Sequence, residues 1–353
     1  MARFVAPGRV NLMGDHTDYN EGFVLPLAIG LGCTVTVTPA DGPTLRASSR
    51  QLPGAVSVAA DGHDDPATID PPWGRFVGGV ARTLSERGMT VPGAELTISS
   101  TVPPGSGLSS SSALSVALTM ALADLAGAAL DRVDLARLAL AAEVAATGVP
   151  GGLMDQLASL LGRAGHALLI DCRSTDATPV PIARQVAVIV VHSGVPRTLA
   201  GTAYATRRAE CEAAAQRIGV RALRDATPEQ VADDPRARHV VTENARVRAT
   251  AAALPAGDLS VLGPLLLASH ASLRDDYEVS TPELDLLVEL LVESGAAGAR
   301  LTGAGFGGCV VALAQRNHAD DVVAKTVLRY RARIGIEPFA FVAHAVDGAR
   351  RDD

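Results

Sequence analysis

The chain has 353 residues, enough for one large or two medium domains, and its 48% hydrophobic content with 34 glycines marks a well-cored globular protein. A formal net charge of −7 argues against nucleic acid as the main partner, and only 3% of residues are aromatic, which leaves little for base stacking. No apolar run approaches the roughly 18–20 residues of a membrane span, the first residues lack a signal-peptide core, and the four cysteines are scattered without metal or disulfide spacing. A cytoplasmic protein with reduced thiols at Cys33, Cys172, Cys211 and Cys309 is expected, with no nucleic-acid or membrane partner.

The first distinctive stretch is Ala6-Pro7-Gly8-Arg9-Val10-Asn11-Leu12-Met13-Gly14-Asp15-His16-Thr17-Asp18-Tyr19-Asn20-Glu21-Gly22. It is too polar and glycine-rich to read as one helix or strand. Carboxylates accept hydrogen bonds from sugar hydroxyls, while His and Arg can donate, so the cluster reads as a grip for a hydroxyl-rich ligand. Residues 33–39 alternate as a strand should, and short strands at 44–47 and 55–59 interrupt a turn-rich segment. A helix at 75–87 and a strand at 94–100 lead into the next motif.

That motif is Val102-Pro103-Pro104-Gly105-Ser106-Gly107-Leu108-Ser109-Ser110-Ser111-Ser112-Ala113-Leu114. A proline- and glycine-rich loop runs into a helix whose apolar residues Leu114, Ala117, Ala121 and Leu125 recur at spacings of three and four. Glycines without a Cβ let backbone N–H groups approach a ligand, and a helix start offers unpaired donors and the positive dipole end. Such a place binds phosphate, although a serine-capped helix start would look similar. A Walker loop is excluded, because it needs Gly-Lys-Ser/Thr and Lys325 is the only lysine in the chain. A dinucleotide fingerprint is weak, since residue 110 is serine where the third glycine should stand.

Downstream, an amphipathic helix at 131–147 carries Glu143 and is closed by Gly148 and Pro150. Gly151-Gly152 opens a short helix with Asp155 in its first turn, where an acid also favours the helix dipole. A strand at 166–171 follows. The pattern breaks near 173–185, which places a boundary between domains 1–180 and 181–353. Beyond it come a buried strand at 185–192 and helices at 201–218, 228–254, 259–274 and 282–294. A second glycine loop spans 298–309, ahead of a strand at 309–314 and a helix at 318–333. The tail 348–353 looks disordered.

Six collinear stretches resemble the galactokinase family of the GHMP small-molecule kinases, over nearly the whole chain. They are Gly8–Leu12 through Asp18-Tyr19-Asn20, the loop from Pro104 to Ser111, Met154-Asp155-Gln156, Tyr204 to Cys211, Ser269 to Glu278, and Thr302 to Gly308. The resemblance implies a two-domain α+β fold, with an N-terminal ribosomal-S5-like domain, a C-terminal ferredoxin-like α/β sandwich, and the active site between them. It implies ATP-dependent phosphorylation of a sugar, D-galactose, at its anomeric hydroxyl, by a monomer or weak homodimer. Gly105, Ser106, Gly107, Leu108, Ser109, Ser110 and Ser111 would hold the ATP phosphates. Ser111 and Glu143 would ligate Mg²⁺, which prefers oxygen ligands. Asp155 would accept the hydroxyl proton, with Arg9 beside it keeping it ionised. Asp15, His16, Thr17, Asp18, Gly152 and Tyr204 would contact the sugar, and the loop 303–308 would support the site.

Three positions depart from the family pattern. Asp15 stands where the family usually has Glu reaching the sugar's 6-hydroxyl, Gly151 replaces a usual Cys, and Ser112 a usual Ala. The first leaves room for a sugar or sugar acid altered at C6. A non-catalytic sensor of sugar and ATP would be expected to have a damaged serine loop, whereas this chain keeps Ser109–Ser111, Glu143 and Asp155.

Overall fold

A computed structural model describes residues 1–195 and 200–352. The strands of its first half are β1 (Ala2–Asn11), β2 (Phe23–Val24), β3 (Pro26–Pro39), β4 (Thr44–Ser49), β5 (Ala55–Ala59), β6 (Ala94–Ser100), β7 (His166–Asp171) and β8 (Ala177–Pro181). Those of the second half are β9 (Val186–His192), β10 (Gly298–Thr302), β11 (Cys309–Gln315), β12 (Phe339–Ala343) and β13 (Arg350–Asp352). The helices are α1 (Arg75–Glu86), α2 (Ser110–Leu125), α3 (Arg132–Thr147), α4 (Met154–Leu161), α5 (Ala200–Ile218), α6 (Pro235–Ala253), α7 (Leu259–Asp275), α8 (Pro282–Glu293) and α9 (Ala319–Ile334).

This is an α+β fold with segregated sheets. One sheet has the order β13-β1-β3-β6-β4-β5, with only β4 and β6 parallel. Helices α2 and α4 pack on its β1–β3 part, and α1 and α3 stack outside α2. The second sheet, β10-β11-β9-β12, is antiparallel throughout. Its connectivity of strand, helices, two strands, helix, strand is the split βαβ pattern of ferredoxin-like domains. A third core joins the halves, where Val10, Leu12, Leu25 and Leu27 pack with Val188, Val190, Leu262 and Val311.

Several elements differ from the sequence expectation. Residues 2–11 form one long strand despite Pro7 and Gly8, because a register shift between Pro7 and Arg9 lets a bulge absorb them. The strand expected at 33–39 begins seven residues earlier, and α6 begins at Pro235 instead of 228, behind an Asp234 cap. Within 298–309 the first five residues are strand β10 and Cys309 opens β11, so only 303–308 are loop. The tail is ordered, with Arg350–Asp352 adding an edge strand to β1. Helix α2 buries more than one stripe: Ala117 and Ala121 are buried with Ala113, Val116, Leu118 and Leu122, while Leu114 and Leu125 are only partly covered. A helix that is apolar nearly all round belongs inside a core, not on its edge.

Cys33 and Cys211 are buried and Cys172 is half-buried, all three as free thiols. Among the described residues no helix is long and apolar enough to cross a membrane.

Candidate active site

The N-terminal motif and the serine loop meet because Gly8 permits it. A Cβ there would lie 2.6 Å from the Leu108 carbonyl oxygen, so only glycine lets β1 pass this close. The next residue, Arg9, donates its backbone N–H to that same carbonyl at 3.2 Å. Its guanidinium, buried on β1, then clamps Asp155 in the first turn of α4. Nε lies 2.8 Å from Oδ1 and Nη2 lies 3.0 Å from Oδ2, a planar two-bond fork, while Nη1 donates to the Gly107 carbonyl at 2.6 Å. One arginine therefore ties the carboxylate to the loop.

Around them lies a cavity of about 420 Å³. It brings together Arg9, Asp15, His16, Asp18, Gly105, Gly107, Ser109, Ser110, Ser111, Glu143, Gly152, Asp155 and Tyr204, every one of them expected from the sequence. Three expected residues turn elsewhere. Thr17 is fully buried, and its hydroxyl is 2.7 Å from the Gly14 and Phe23 carbonyls, closing the turn that presents its neighbours. Leu108 faces the inter-sheet core, and the Ser106 hydroxyl bonds the Pro103 carbonyl at 2.7 Å, inside the loop. Small loops need such internal bonds, and sequence alone does not separate them from ligand contacts.

The serine loop makes its turn with Gly105 at φ 70° and Gly107 at φ 83°. Helix α2 then starts at the cavity, and Ser109 makes no side-chain cap on it. The helix start thus keeps its backbone donors for another acceptor. Opposite, on α3, stands Glu143. Its Oε2 accepts from Ser112 Oγ at 2.9 Å, Ser115 Oγ at 3.4 Å and Gln156 Nε2 at 2.8 Å, all neutral donors. Burial pushes this carboxyl up from its usual range, against the pull of the Ser111 hydroxyl.

The other end of the cavity is carboxylate-rich. Asp15 is almost wholly buried, with Oδ1 accepting from the Gly303 N–H at 2.9 Å and Oδ2 paired with Arg300. Burial raises its carboxyl despite the Arg300 and Arg9 charges. Beneath the turn, Glu243 on α6 accepts from the Gly14 N–H at 3.0 Å and Ser269 at 2.6 Å. Burial pushes Glu243 up as well, but the Arg246 and Arg300 charges outweigh it and leave it at about 2. Thr302 adds a stitch, its hydroxyl bonding the Asn11 carbonyl at 2.9 Å. The second glycine loop is thereby fastened to the N-terminal motif.

His16 has both ring nitrogens committed. Nε2 faces the Ala304 carbonyl at 3.2 Å and must carry the proton, so Nδ1 accepts from the Tyr19 hydroxyl at 2.8 Å. Burial holds its pKa down at about 3, so the ring is neutral and offers the cavity a surface, not a charge. Asp18 behaves oppositely: burial, then the charge of Asp155, pushes its carboxyl up to about 7. Gly152 abuts it, since a Cβ there would fall 1.8 Å from Asp18 Oδ2. Residues not singled out for a role also line the site: Gly151, Ser112 and Gln156 on the polar side, and Leu140, Val149, Pro150 and Met154 on an apolar wall, while Gly303 and Ala304 come from the loop expected to support it. Gln156 sits in a recognised motif. The apolar wall has no sequence signal distinguishing it from ordinary core.

Residues 75–163 match the GHMP kinases N terminal domain, 250–329 the GHMP kinases C terminal domain, and 2–39 the galactokinase galactose-binding signature. The fold and the site between its halves define a GHMP small-molecule kinase. Among curated relatives, the galactokinase of Roseiflexus sp. (strain RS-1) is 44% identical over 98% of this chain and 92% of its own length. That of Haemophilus influenzae is 43% identical over 98% and 93%. Among solved structures, the Lactococcus lactis galactokinase complexed with galactose superposes with a TM-score of 0.92 at 33% identity, covering 99% of this chain and 94% of that one. The Methanococcus jannaschii mevalonate kinase shares the fold at a TM-score of 0.73 and 17% identity, covering 98% of each chain. The chain belongs to the galactokinase family of GHMP kinases. It is a phosphotransferase with an alcohol group as acceptor.

Proposed function

We propose that the protein transfers the γ-phosphoryl group of ATP to the 1-hydroxyl of D-galactose, giving α-D-galactose 1-phosphate and ADP. The observation that carries the reading is the Arg9–Asp155 clamp, fastened to the serine loop within one cavity whose far end is lined by Asp15, Asp18 and Tyr204. Phosphoryl transfer asks mainly for positioning and charge stabilisation, and these groups supply both. Asp155 accepts the proton of the 1-hydroxyl as that oxygen bonds to the γ-phosphorus. The bond from phosphorus to the β-phosphate oxygen breaks, and ADP leaves with its electron pair. Arg9 holds the Asp155 carboxylate in place and sets positive charge beside the transferring group, and the backbone donors at Gly105, Gly107 and the α2 start hold the phosphates.

Among the described residues no group of three His, Cys, Asp or Glu could hold a metal. The Ser111 hydroxyl and Glu143 carboxylate fit a smaller share of the coordination, that of a hard cation completed by phosphate oxygens. Among the described residues the hydrogen-bond donors to Glu143 are neutral, the Ser112 and Ser115 hydroxyls and the Gln156 amide, which leaves its charge for a cation. Mg²⁺ bound there would neutralise charge on the nucleotide phosphates.

A second reading keeps the chemistry and changes the sugar. Both Asp15 oxygens are engaged by Arg300 and Gly303, and Asp is one methylene shorter than the Glu usual in the family, so the pocket end that meets C6 is recessed. Initial rates of ADP release with MgATP across a panel of sugars decide between them. D-Galactose ahead by tenfold or more in kcat/KM, about 1.4 kcal/mol, supports the first reading. A leading sugar altered at C6 supports the second, and no turnover with any sugar removes both. The proposal includes a cytoplasmic monomer or weak homodimer, with residues 1–180 and 181–353 as its two lobes except for strand β13, which joins the sheet of the first.

A further inference from the structure

Ser109 stands in a conformation that neither helix capping nor phosphate binding requires. It is the residue before α2, at φ 60° and ψ 47°, in the left-handed region that a serine rarely adopts. Such a residue persists only where its surroundings hold it. Its hydroxyl does not cap the helix. Instead Ser109 Oγ donates to Asp155 Oδ2 at 2.5 Å. Ser109 is nearly buried, so water competes little for this bond.

The lone pairs of Asp155 can then be counted. Oδ2 receives Arg9 Nη2 and Ser109 Oγ, which fills both its acceptor directions. Among the described residues Oδ1 receives only Arg9 Nε. The Arg9 fork alone fixes the carboxylate in a plane. The third bond, from the opposite element, fixes its distance from the start of α2, where the phosphates are to lie.

We propose that Ser109 is a positioning residue for Asp155: its left-handed backbone aims the hydroxyl at Oδ2, registers the carboxylate against the phosphate loop, and leaves Oδ1 to take the sugar proton. The inference rests on the reading of Asp155 as proton acceptor, and it gives the Ser109 side chain a task other than holding ATP.

The test is steady-state kinetics of the full-length Ser109→Ala and Ser109→Gly proteins with D-galactose and MgATP, each also combined with Asp155→Asn. Glycine accepts the left-handed backbone freely, so Ser109→Gly removes the hydroxyl without strain and remains informative if Ser109→Ala folds poorly. Both variants are expected to lose roughly 10- to 100-fold in kcat, the usual effect of a small misplacement, with the KM for ATP and for sugar within about twofold of wild type. On the Asp155→Asn background neither should cost anything further, because the serine acts through that carboxylate. Unchanged kcat in both variants, or a raised KM for ATP with kcat intact at saturation, would make Ser109 a loop or phosphate residue and overturn the inference. So would full rescue by glycine of a rate lost with alanine, since the backbone and not the hydroxyl would then matter. Full activity of Asp155→Asn alone would instead bring down the underlying reading, a result the Ser109 variants cannot mimic.

Discussion

The two glycine loops read alike in sequence and do opposite things in the fold. At 103–109 the glycines open space: a Cβ on Gly105 would meet nothing within 4 Å, and the backbone faces the cavity. At 303–308 they let the chain press against protein: a Cβ on Gly305 would lie 2.3 Å from the Val279 carbonyl, where Phe306 N–H also bonds at 2.8 Å. Gly303 adds its N–H to Asp15. One loop is glycine-rich for a ligand, the other for its neighbours. Gly152 is a third case, since what it makes room for is the side chain of Asp18.

The contrast is sharpest in Gly305→Ala. The clash is with backbone at a positive φ, so stability should fall by roughly 2–4 kcal/mol, read as a lowered denaturant midpoint, while the KM for ATP barely moves. Next in size is Gly152→Ala. Its methyl displaces the Asp18 carboxylate, and the KM for sugar should rise about 10- to 100-fold with that for ATP unchanged, a loss of about 1.4–2.7 kcal/mol. Gly105→Ala should be milder for the fold, about 1–2 kcal/mol from its φ of 70°, and should show itself mainly in the KM for ATP. If Gly105→Ala destabilised more than Gly305→Ala, the comparison would be inverted.

The smallest effect expected is a pH slope. The folded Asp18 carboxyl keeps its proton up to about 7, and the unfolded one releases it near 4, so unfolding between these values releases a proton. The stabilisation is present at low pH and fades as pH rises through 7. Urea midpoints of the sugar-free protein at several pH values should therefore fall less steeply across pH 4–7 in Asp18→Asn than in wild type. An identical slope would show that Asp18 is not held protonated.

Much of the site was legible because its chemistry is concentrated in short stretches: a capped helix start would account for the serines and a helix dipole for Asp155, but the collinear motifs that carry them together with Arg9 resemble one family. The fold was less so. Strand β1 was hidden by Pro7 and Gly8, since a bulge cannot be distinguished from a break before its partner strand is known. Strand β13 was hidden because three charged residues carry no strand pattern of their own and join the sheet by backbone pairing with β1. Thr17 and Ser106 look like ligand groups in the sequence, and only the turn geometry shows their hydroxyls spent on carbonyls. The commitment of Asp15 to Arg300 spans 285 positions, a distance over which no local pattern speaks.

The central claim is that Asp155, held by Arg9, delivers the 1-hydroxyl of galactose to ATP. The most direct test follows galactose labelled with ¹³C at C1, incubated with MgATP, by ¹³C and ³¹P NMR, for the wild type and Asp155→Asn. Wild type should yield one product whose C1 signal is split by phosphorus, and Asp155→Asn should form it about 10²–10⁴ times more slowly while still binding ATP. Phosphorus attached at any other carbon, or an undiminished rate in Asp155→Asn, would contradict the account.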